Sequence, residues 1–514
     1  MKRLTTAAAL QAYCQSQSEV TIGLVPTMGN LHGGHLSLID RARQENDRVI
    51  VSIFVNPLQF GPHEDFEKYP RTLDFDCQLC QEAGVDAVFA PSAEELGISG
   101  RAPADSDGKT SLRTTVVPPP KMTSILCGRS RPGHFDGVAT IVTKLLNLVR
   151  PDRAYFGQKD AQQLAIIRQL VRDLSIPVEI VGCPIVREPS GLALSSRNQY
   201  LSHEQKETAA TLYRSLQQAQ RLFDKGFRDR AKLLEAVKTE LSTVPEVRLE
   251  YLELVDPESL VPLASVRRKG LLAIAARVGE TRLIDNLLLN ARPPIIAIDG
   301  PAGAGKSTVT RQVARTLGLL YLDTGAMYRA VTWWLRECGV SIEDEAAVAE
   351  ALQRCDLQLK SDVEGDRCRV WVNRQEVTDA IRSPEVTSAV SAVSALPVVR
   401  QFLIQQQKRY GETGGLVAEG RDMGTCVFPD AEVKVFLTAS VGERARRRKL
   451  DLERQGYEVN LGQLEGDIAE RDRQDSTRTI APLKKARDAV EIQTDNLSID
   501  EVTDKILHLV PSTH

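Results

Sequence analysis

The stretch T-R-L-I-D-N-L-L-L-N-A-R-P-P-I-I-A-I-D-G-P-A-G-A-G-K-S-T (residues 281–308) carries the organisation of this chain. Thr281 to Asn290 reads as the closing strand of one folded unit. Pro293 and Pro294 interrupt it, since neither has an N–H for a ladder and each disfavours helix before it. The apolar run Ile295-Ile296-Ala297-Ile298 then has the look of a buried parallel strand. It leads into G-P-A-G-A-G-K-S (300–307), a strand-to-helix loop whose glycines let the backbone turn its N–H groups toward phosphate. Gly300, Gly303 and Gly305 shape the cradle, Lys306 adds a point charge, and Ser307 with Thr308 begins the helix, Ser307 offering an oxygen to magnesium. The spacing predicts a nucleoside-triphosphate site at the start of a second folded unit.

A chain of 514 residues is too long for one core and implies roughly two to four domains. Its 42% hydrophobic and 26% charged residues are those of an ordinary globular protein. A net charge of −3 argues against a nucleic-acid partner gripped by bulk electrostatics. No apolar run reaches the length of a membrane span, and the first residues lack the apolar core of a secretion signal. Nine scattered cysteines fit reduced thiols, so the expected location is cytoplasmic. Cys77-x-x-Cys80, the one pair at metal or redox spacing, has no second pair and reads as helix surface.

Upstream, Val20 to Val25 reads as a strand and P-T-M-G-N-L-H-G-G-H (26–35) as a glycine-rich turn into the helix L-S-L-I-D-R-A-R-Q-E. His32 and His35 share a face at the helix N-terminus, where free N–H groups and the helix dipole attract anions. An H-x-x-H pair is also a zinc spacing, but no third ligand lies near it at helical spacing. In D-G-V-A-T-I-V-T-K-L-L-N-L-V (136–149), Val138, Ile141, Val142, Leu145, Leu146 and Val149 fall on one helical face and predict core.

The decamer at 26–35 resembles the signature of pantothenate synthetase, in the His-x-Gly-His nucleotidyltransferase superfamily. The likeness continues through F-V-N-P-L-Q-F (54–60), Y-P-R-T-L (69–73), R-P-G-H-F-D-G-V (131–138), Y-F-G-Q-K-D-A-Q-Q-L (155–164) and L-A-L-S-S-R-N-Q-Y-L (192–201). It implies an ATP- and magnesium-dependent condensation of pantoate with β-alanine through a pantoyl-adenylate. By that resemblance Met28, His32, His35, Gly157, Lys159, Asp160, Ser195, Ser196 and Arg197 bind ATP, with His32, His35 and Lys159 catalytic. Gln59 and Gln163 take pantoate with support from Asn56, and Asp76 is the magnesium ligand. Gly97 to Thr115 is polar where the family has a shorter connection and reads as a surface excursion.

Downstream, L-Y-L-D-T-G-A-M-Y-R (320–329), R-S-P-E-V (382–386), S-A-V-S-A-L-P-V-V-R (391–400), E-G-R-D-M-G-T-C-V-F-P-D-A (419–431) and E-R-D-R-Q-D-S-T-R-T-I-A-P-L (470–483) resemble cytidylate kinase. That family moves the γ-phosphoryl group of ATP to CMP or dCMP. The resemblance implies that Ser391, Arg400 and Asp422 read cytosine, and that Arg421 and Arg471 fork onto the acceptor or migrating phosphate as catalytic groups beside Lys306. Asp475 would take the sugar and Arg478 close over the phosphates. Asp323 is either a partner for magnesium or Lys306, or a helix N-cap. Residues 355–373 read as two strands about a turn, and G-E-R-A-R-R-R-K-L (442–450) as the start of a lid helix or a solvated charge run. The only histidines beyond residue 290 are His508 and His514, so no imidazole base serves this half.

The expected architecture is α/β throughout. A Rossmann-like His-x-Gly-His nucleotidyltransferase domain (1–184) carries a small α+β C-terminal lid domain (185–290). A P-loop nucleoside monophosphate kinase fold (294–514) follows. Expected partners are the small-molecule substrates alone, with no nucleic acid or membrane, and a second copy docked through the first half.

Overall fold

A computed structural model describes residues 1–17, 20–61, 64, 66–98, 114–361, 368–454, 459–477 and 483–510. The bulk of the 97–115 excursion, residues 99–113, lies outside them, as do Arg478 and the side chains of Arg471 and Asp475. The chain divides into two compact units, with the boundary after Ala291.

In the first unit six strands, β1 Lys2–Leu4, β2 Ile22–Thr27, β3 Arg48–Ile53, β4 Ala87–Phe89, β5 Arg153–Gly157 and β6 Glu179–Cys183, form a sheet in the order β1-β4-β3-β2-β5-β6. Every neighbouring pair is parallel. The period-2 alternation of strand side chains sorts the core into two layers. Leu24, Ile50, Phe89 and Phe156 face the layer holding the helix His134–Val149, while Val25, Val51, Val88 and Tyr155 face the helices Gly33–Glu45 and Leu73–Glu82. All six apolar positions read on 138–149 are buried. Cys80 packs inward from its helix, so the Cys77–Cys80 stretch is only partly surface.

Three longer strands follow, β7 Val247–Val255, β8 Lys269–Val278 and β9 Thr281–Asn290, in an antiparallel sheet. They run nine or ten residues, and β9 spans the Thr281–Asn290 stretch read as a closing strand. Leu271, Ala273 and Ala275 of β8 join the core of the parallel sheet. Leu272, Ile274 and Ala276 pack against the helices Thr211–Asp224 and Arg230–Leu241. One face of this sheet therefore shares a core with what precedes it, while the other closes a core of its own.

In the second unit β10 Ile295–Asp299 and β11 Leu320–Asp323 belong to the central sheet. Next come β12 Leu357–Ser361, β13 Cys368–Val372 and β14 Gln375–Glu376, a separate antiparallel sheet at the place where two strands about a turn were expected. The last strands, β15 Leu416–Gly420, β16 Val433–Thr438 and β17 Val490–Gln493, complete a parallel sheet in the order β11-β15-β10-β16-β17. β10 lies in its middle and is buried from end to end. The proline pair before it is held by its carbonyls: Gly415 N–H donates to Pro293 O at 3.0 Å and Leu416 N–H to Pro294 O at 3.3 Å.

The helix His134–Val149 meets the turn Pro57–Gln59 through Gly137, where an added Cβ would overlap the Leu58 carbonyl. Backbone on both sides leaves nothing flexible to give. Gly137→Ala should lower stability by about 1–3 kcal/mol, read from thermal or denaturant unfolding; an unchanged midpoint would contradict this packing.

Candidate active sites

The first site lies at the C-terminal edges of β2 and β5, where the strand order reverses from one side of the sheet to the other. A cavity of about 260 Å³ there is lined by Met28, His32, His35, Gly157, Lys159, Asp160, Gln163, Ser195, Ser196 and Arg197. Ten expected residues from three separated motifs thus line one cavity. Gln59 and Asn56 stand behind the lining. Gln59 Nε2 donates to Met28 Sδ at 2.8 Å, while Asn56 Nδ2 donates to Gln59 Oε1 at 3.2 Å and to Gly137 O at 3.1 Å.

His32 caps the helix Gly33–Glu45: Gly34 N–H donates to its Nδ1 at 3.1 Å. His32 N–H in turn donates to His35 Nδ1 at 3.4 Å. With Nδ1 accepting in both rings, a neutral imidazole must carry its proton on Nε2. Burial, then the Lys159 ammonium, lowers His32 to about 4; burial, His32 and Lys159 lower His35 to about 3. The pair therefore offers neutral N–H donors, not positive charge. Burial also lowers Lys159, against the pull of Asp160 and Asp285.

Asp76, expected as a magnesium ligand, has its carboxylate held by the turn before the histidine helix. It is fully buried, and its carboxylate accepts from Asn30 N–H at 2.9 Å, Leu31 N–H at 2.8 Å and the Thr72 hydroxyl at 3.1 Å. It ties down the turn that presents the histidines. Asp160 caps the helix Ala161–Asp173 through Gln163 N–H, and Ser196 Oγ donates to Asn30 O at 3.4 Å across the cleft.

Sequence reading gave no role to Arg131 and His134, although their motif was evident. Both line the cavity. Arg131 forks onto Glu64 with two 2.6 Å bonds and donates to His134 Nε2 at 3.1 Å. His134 Nδ1 then donates to Gln59 O at 2.7 Å, which fixes the turn bearing Gln59. Val186, Leu283 and Ile284 supply apolar lining that no motif marked, beside Leu194 of the 192–201 motif.

The second site surrounds the loop after β10. Gly300 has φ 150°, and an added Cβ would strike the Leu437 carbonyl; Gly303 and Gly305 have φ 80° and 87°. The loop's carbonyls are tied outward. Lys306 Nζ donates to Gly300 O and Pro301 O at 2.7 Å each, Arg444 Nη1 to Ala302 O at 3.2 Å, and Thr494 Oγ1 to Ala304 O at 3.3 Å. Ser307 and Thr308 are exposed at the start of the helix Lys306–Leu317. Arg444 answers the charge-run question in part: it is buried, reaching Asp472 of the helix Leu461–Thr477 through 2.9 and 2.5 Å bonds, while Arg446 points outward.

Arg400 and Asp422 come together as a buried ion pair at 2.8 Å, with half-buried Arg421 adjoining. Ser391 is exposed on the helix Pro384–Ala395. Asp323 is a helix N-cap, accepting from Ala326 N–H at 2.7 Å. Two acids were missed. Asp299 accepts from Met423 N–H at 2.8 Å and Gly424 N–H at 2.7 Å, and burial pushes it up to about 7 despite those bonds. Glu419 at the end of β15 takes the Tyr321 hydroxyl at 2.6 Å on Oε1, and the Ser307 hydroxyl lies beside its buried carboxylate. Only contacts made by folding reveal either.

The family model for pantoate-beta-alanine ligase matches residues 2–288, and that for cytidylate kinase matches residues 296–512. A relative from Nostoc sp. named bifunctional pantoate ligase/cytidylate kinase is 59% identical over 99% of this chain and 98% of its own. One of the same name from Synechococcus elongatus is 58% identical over 99% and 95%. The crystal structure of pantothenate synthetase from Thermus thermophilus is similar with a TM-score of 0.51 and 48% identity, over 56% of this chain and 99% of that one.

The histidine geometry fixes a pH response. The unfolded chain takes up these protons near 6.5, whereas the folded unit holds His32 and His35 neutral down to about 4 and 3. The unfolded state therefore binds more protons between these limits, and stability of the first unit should fall as pH drops below 6.5. Ring ¹⁵N shifts should show both as Nε2–H tautomers at neutral pH; a titration near 6.5 for either would overturn the assignment.

Proposed function

We propose, for a chain that belongs to the bifunctional pantoate ligase/cytidylate kinase family, that two ATP sites with separate residue sets act independently. The enzyme condenses pantoate with β-alanine through pantoyl-adenylate, giving pantothenate, AMP and diphosphate, and it phosphorylates CMP or dCMP from ATP. The observation that carries the first assignment is the pair of histidine Nε2–H donors facing one cavity with Lys159.

Pantoate's carboxylate is ionised at neutral pH, so its attack on the α-phosphorus needs alignment and charge stabilisation more than a base. As the new O–P bond forms, the bond to the β-phosphate breaks and diphosphate leaves with the electron pair. Neutral His32 and His35 donate to the phosphates and follow the leaving group; Lys159 holds the α-phosphate. Gly157 and Met28 pack on the nucleotide, Asp160 takes the ribose, and Ser195, Ser196 and Arg197 grip the phosphates from the facing wall. Gln59, oriented by Asn56, and Gln163 take pantoate's hydroxyl and carboxylate groups. The β-alanine amine then attacks the acyl carbon, the C–O bond to AMP breaks, and the ammonium proton is lost.

In the second unit the loop N–H groups and Lys306 hold the ATP phosphates. Ser307, with Glu419 behind it, fits a magnesium ion, which would supply charge neutralisation on those phosphates; the buried carboxylate beside the Ser307 hydroxyl supports this assignment. The Arg400–Asp422 pair presents donors and acceptors suited to a cytosine edge, with Ser391 as the third reader. Arg421, Arg471 and Arg478 are the phosphate forks and Asp475 the sugar ligand. Transfer through a loose transition state asks for positioning and electrostatics, which suits a half with no histidine near the loop.

Lys306→Ala should reduce CMP phosphorylation at least about 100-fold while leaving pantothenate formation at its normal rate. Loss of both activities together would refute independent sites. We further infer a cytoplasmic homodimer paired through the first unit, supported by the family resemblance; among the described residues no single helix is long and apolar enough to cross a membrane. Sedimentation at micromolar concentration should give twice the chain mass, and a monomer would reject the pairing.

A further inference from the structure

The strand β9 approaches the first site from behind. Arg282, Leu283 and Ile284 line the cavity, and the next two residues, Asp285 and Asn286, are buried polar groups beside it. Asn286 Nδ2 donates to Gln158 O at 2.9 Å and to Lys159 O at 3.0 Å. One amide thus clasps two successive carbonyls of the turn that aims Lys159. Asn286 N–H donates to Asp285 Oδ1 at 2.8 Å. Asp285 receives the Arg187 guanidinium as a fork at 2.6 and 2.9 Å.

Arg187 continues the path. It donates to Gly191 O at 3.1 Å and lies over the Tyr213 ring at 3.6 Å. Its segment folds back on itself through the bridge Arg187–Ala193 and the bond from Leu194 N–H to Val186 O at 2.9 Å. That return delivers Ser195–Arg197 to the cavity wall facing Lys159. A continuous set of hydrogen bonds therefore links the two elements expected to grip the triphosphate from opposite sides. A buried ion pair is a poor source of stability compared with apolar packing, but it holds direction well.

We propose that Asn286, backed by the Asp285–Arg187 pair, is a positioning residue for pantoyl-adenylate formation, setting the register of Lys159 against Ser195–Arg197. The inference rests on the roles given above to those residues. It predicts a step-specific defect. The triphosphate spans both walls, whereas the adenylate keeps only the α-phosphate, so the network matters most in the first half-reaction.

The test uses the full chain with Asn286→Ala. Pantoate-dependent exchange of labelled diphosphate into ATP reads adenylation, and release of pantothenate from supplied pantoyl-adenylate and β-alanine reads the second step. Adenylation should fall about 10- to 100-fold, mainly in kcat, with the second step changed several-fold less. Asn286→Ser, whose hydroxyl is too short to clasp both carbonyls, should show the same asymmetry and serves if the alanine variant folds poorly. Equal loss in both steps, or no loss in adenylation, overturns the proposal. Lys159→Ala separates the premises: if it spares adenylation the lysine role fails, and if it abolishes adenylation while Asn286→Ala does not, only the positioning role fails.

Discussion

A turn that offers its N–H groups to phosphate must find other partners for the rest of its polar atoms, and both halves of this chain are arranged around that constraint. A loop left to itself would close its own hydrogen bonds and bury the donors a nucleotide needs. In the second unit the carbonyls of Gly300, Pro301, Ala302 and Ala304 are drawn outward by Lys306, Arg444 and Thr494. The first unit works from the opposite side, with the buried Asp76 carboxylate seizing Asn30 and Leu31 N–H so that the next residues turn cleanly into a helix. Glycine appears where the restraint is tightest, as at Gly300, which has no space for a Cβ.

The two candidate sites present different chemistry at their helix N-termini. The ligase half brings neutral imidazoles to a buried helix N-terminus, where the dipole and oriented N–H groups stabilise negative charge without a counter-ion. Protonated rings there would face the Lys159 ammonium in a desolvated cleft, which explains why both titrate so low. The kinase half relies on arginines, whose charge survives burial: Arg400 and Arg444 are each almost fully covered and each paired with an aspartate. An always-charged fork suits a donor and acceptor that both carry phosphate.

What could be read from the sequence was what is local. The glycine loop, the His-x-Gly-His turn, β9 at Thr281–Asn290 and the buried face of 138–149 depend on neighbours within a few residues, so spacing reveals them. The bonds of Asp76 were not legible because they reach backbone 45 and 46 positions away, and an aspartate at a helix start looks the same in sequence whatever its carboxylate meets. Arg444 was hidden among like charges, and only its contact with Ala302 singles it out. Asn286 lies within β9 and meets a turn far earlier in the chain, while Glu419 and Asp299 sit at strand ends, where adjacency is set by sheet order: β15 lies beside β10 although 116 residues separate the end of one from the start of the other.

The sheet formed by β7, β8 and β9 shows why the ligase cavity has one fixed wall. A lid that swings must part from what it covers, yet Leu271, Ala273 and Ala275 face one core and Leu272, Ile274 and Ala276 the other. Withdrawing such a strand would expose apolar side chains at about 1.5–3 kcal/mol for a leucine alone. The Val186–Arg197 return rests on β9 through the Arg187–Asp285 fork and a bond from Arg187 to Asn286 O at 3.5 Å. The same strand carries Asn286 against the lysine turn and, through Asp285 and Arg187, the segment that bears Ser195–Arg197, so both sides of the cavity are referred to one buried element.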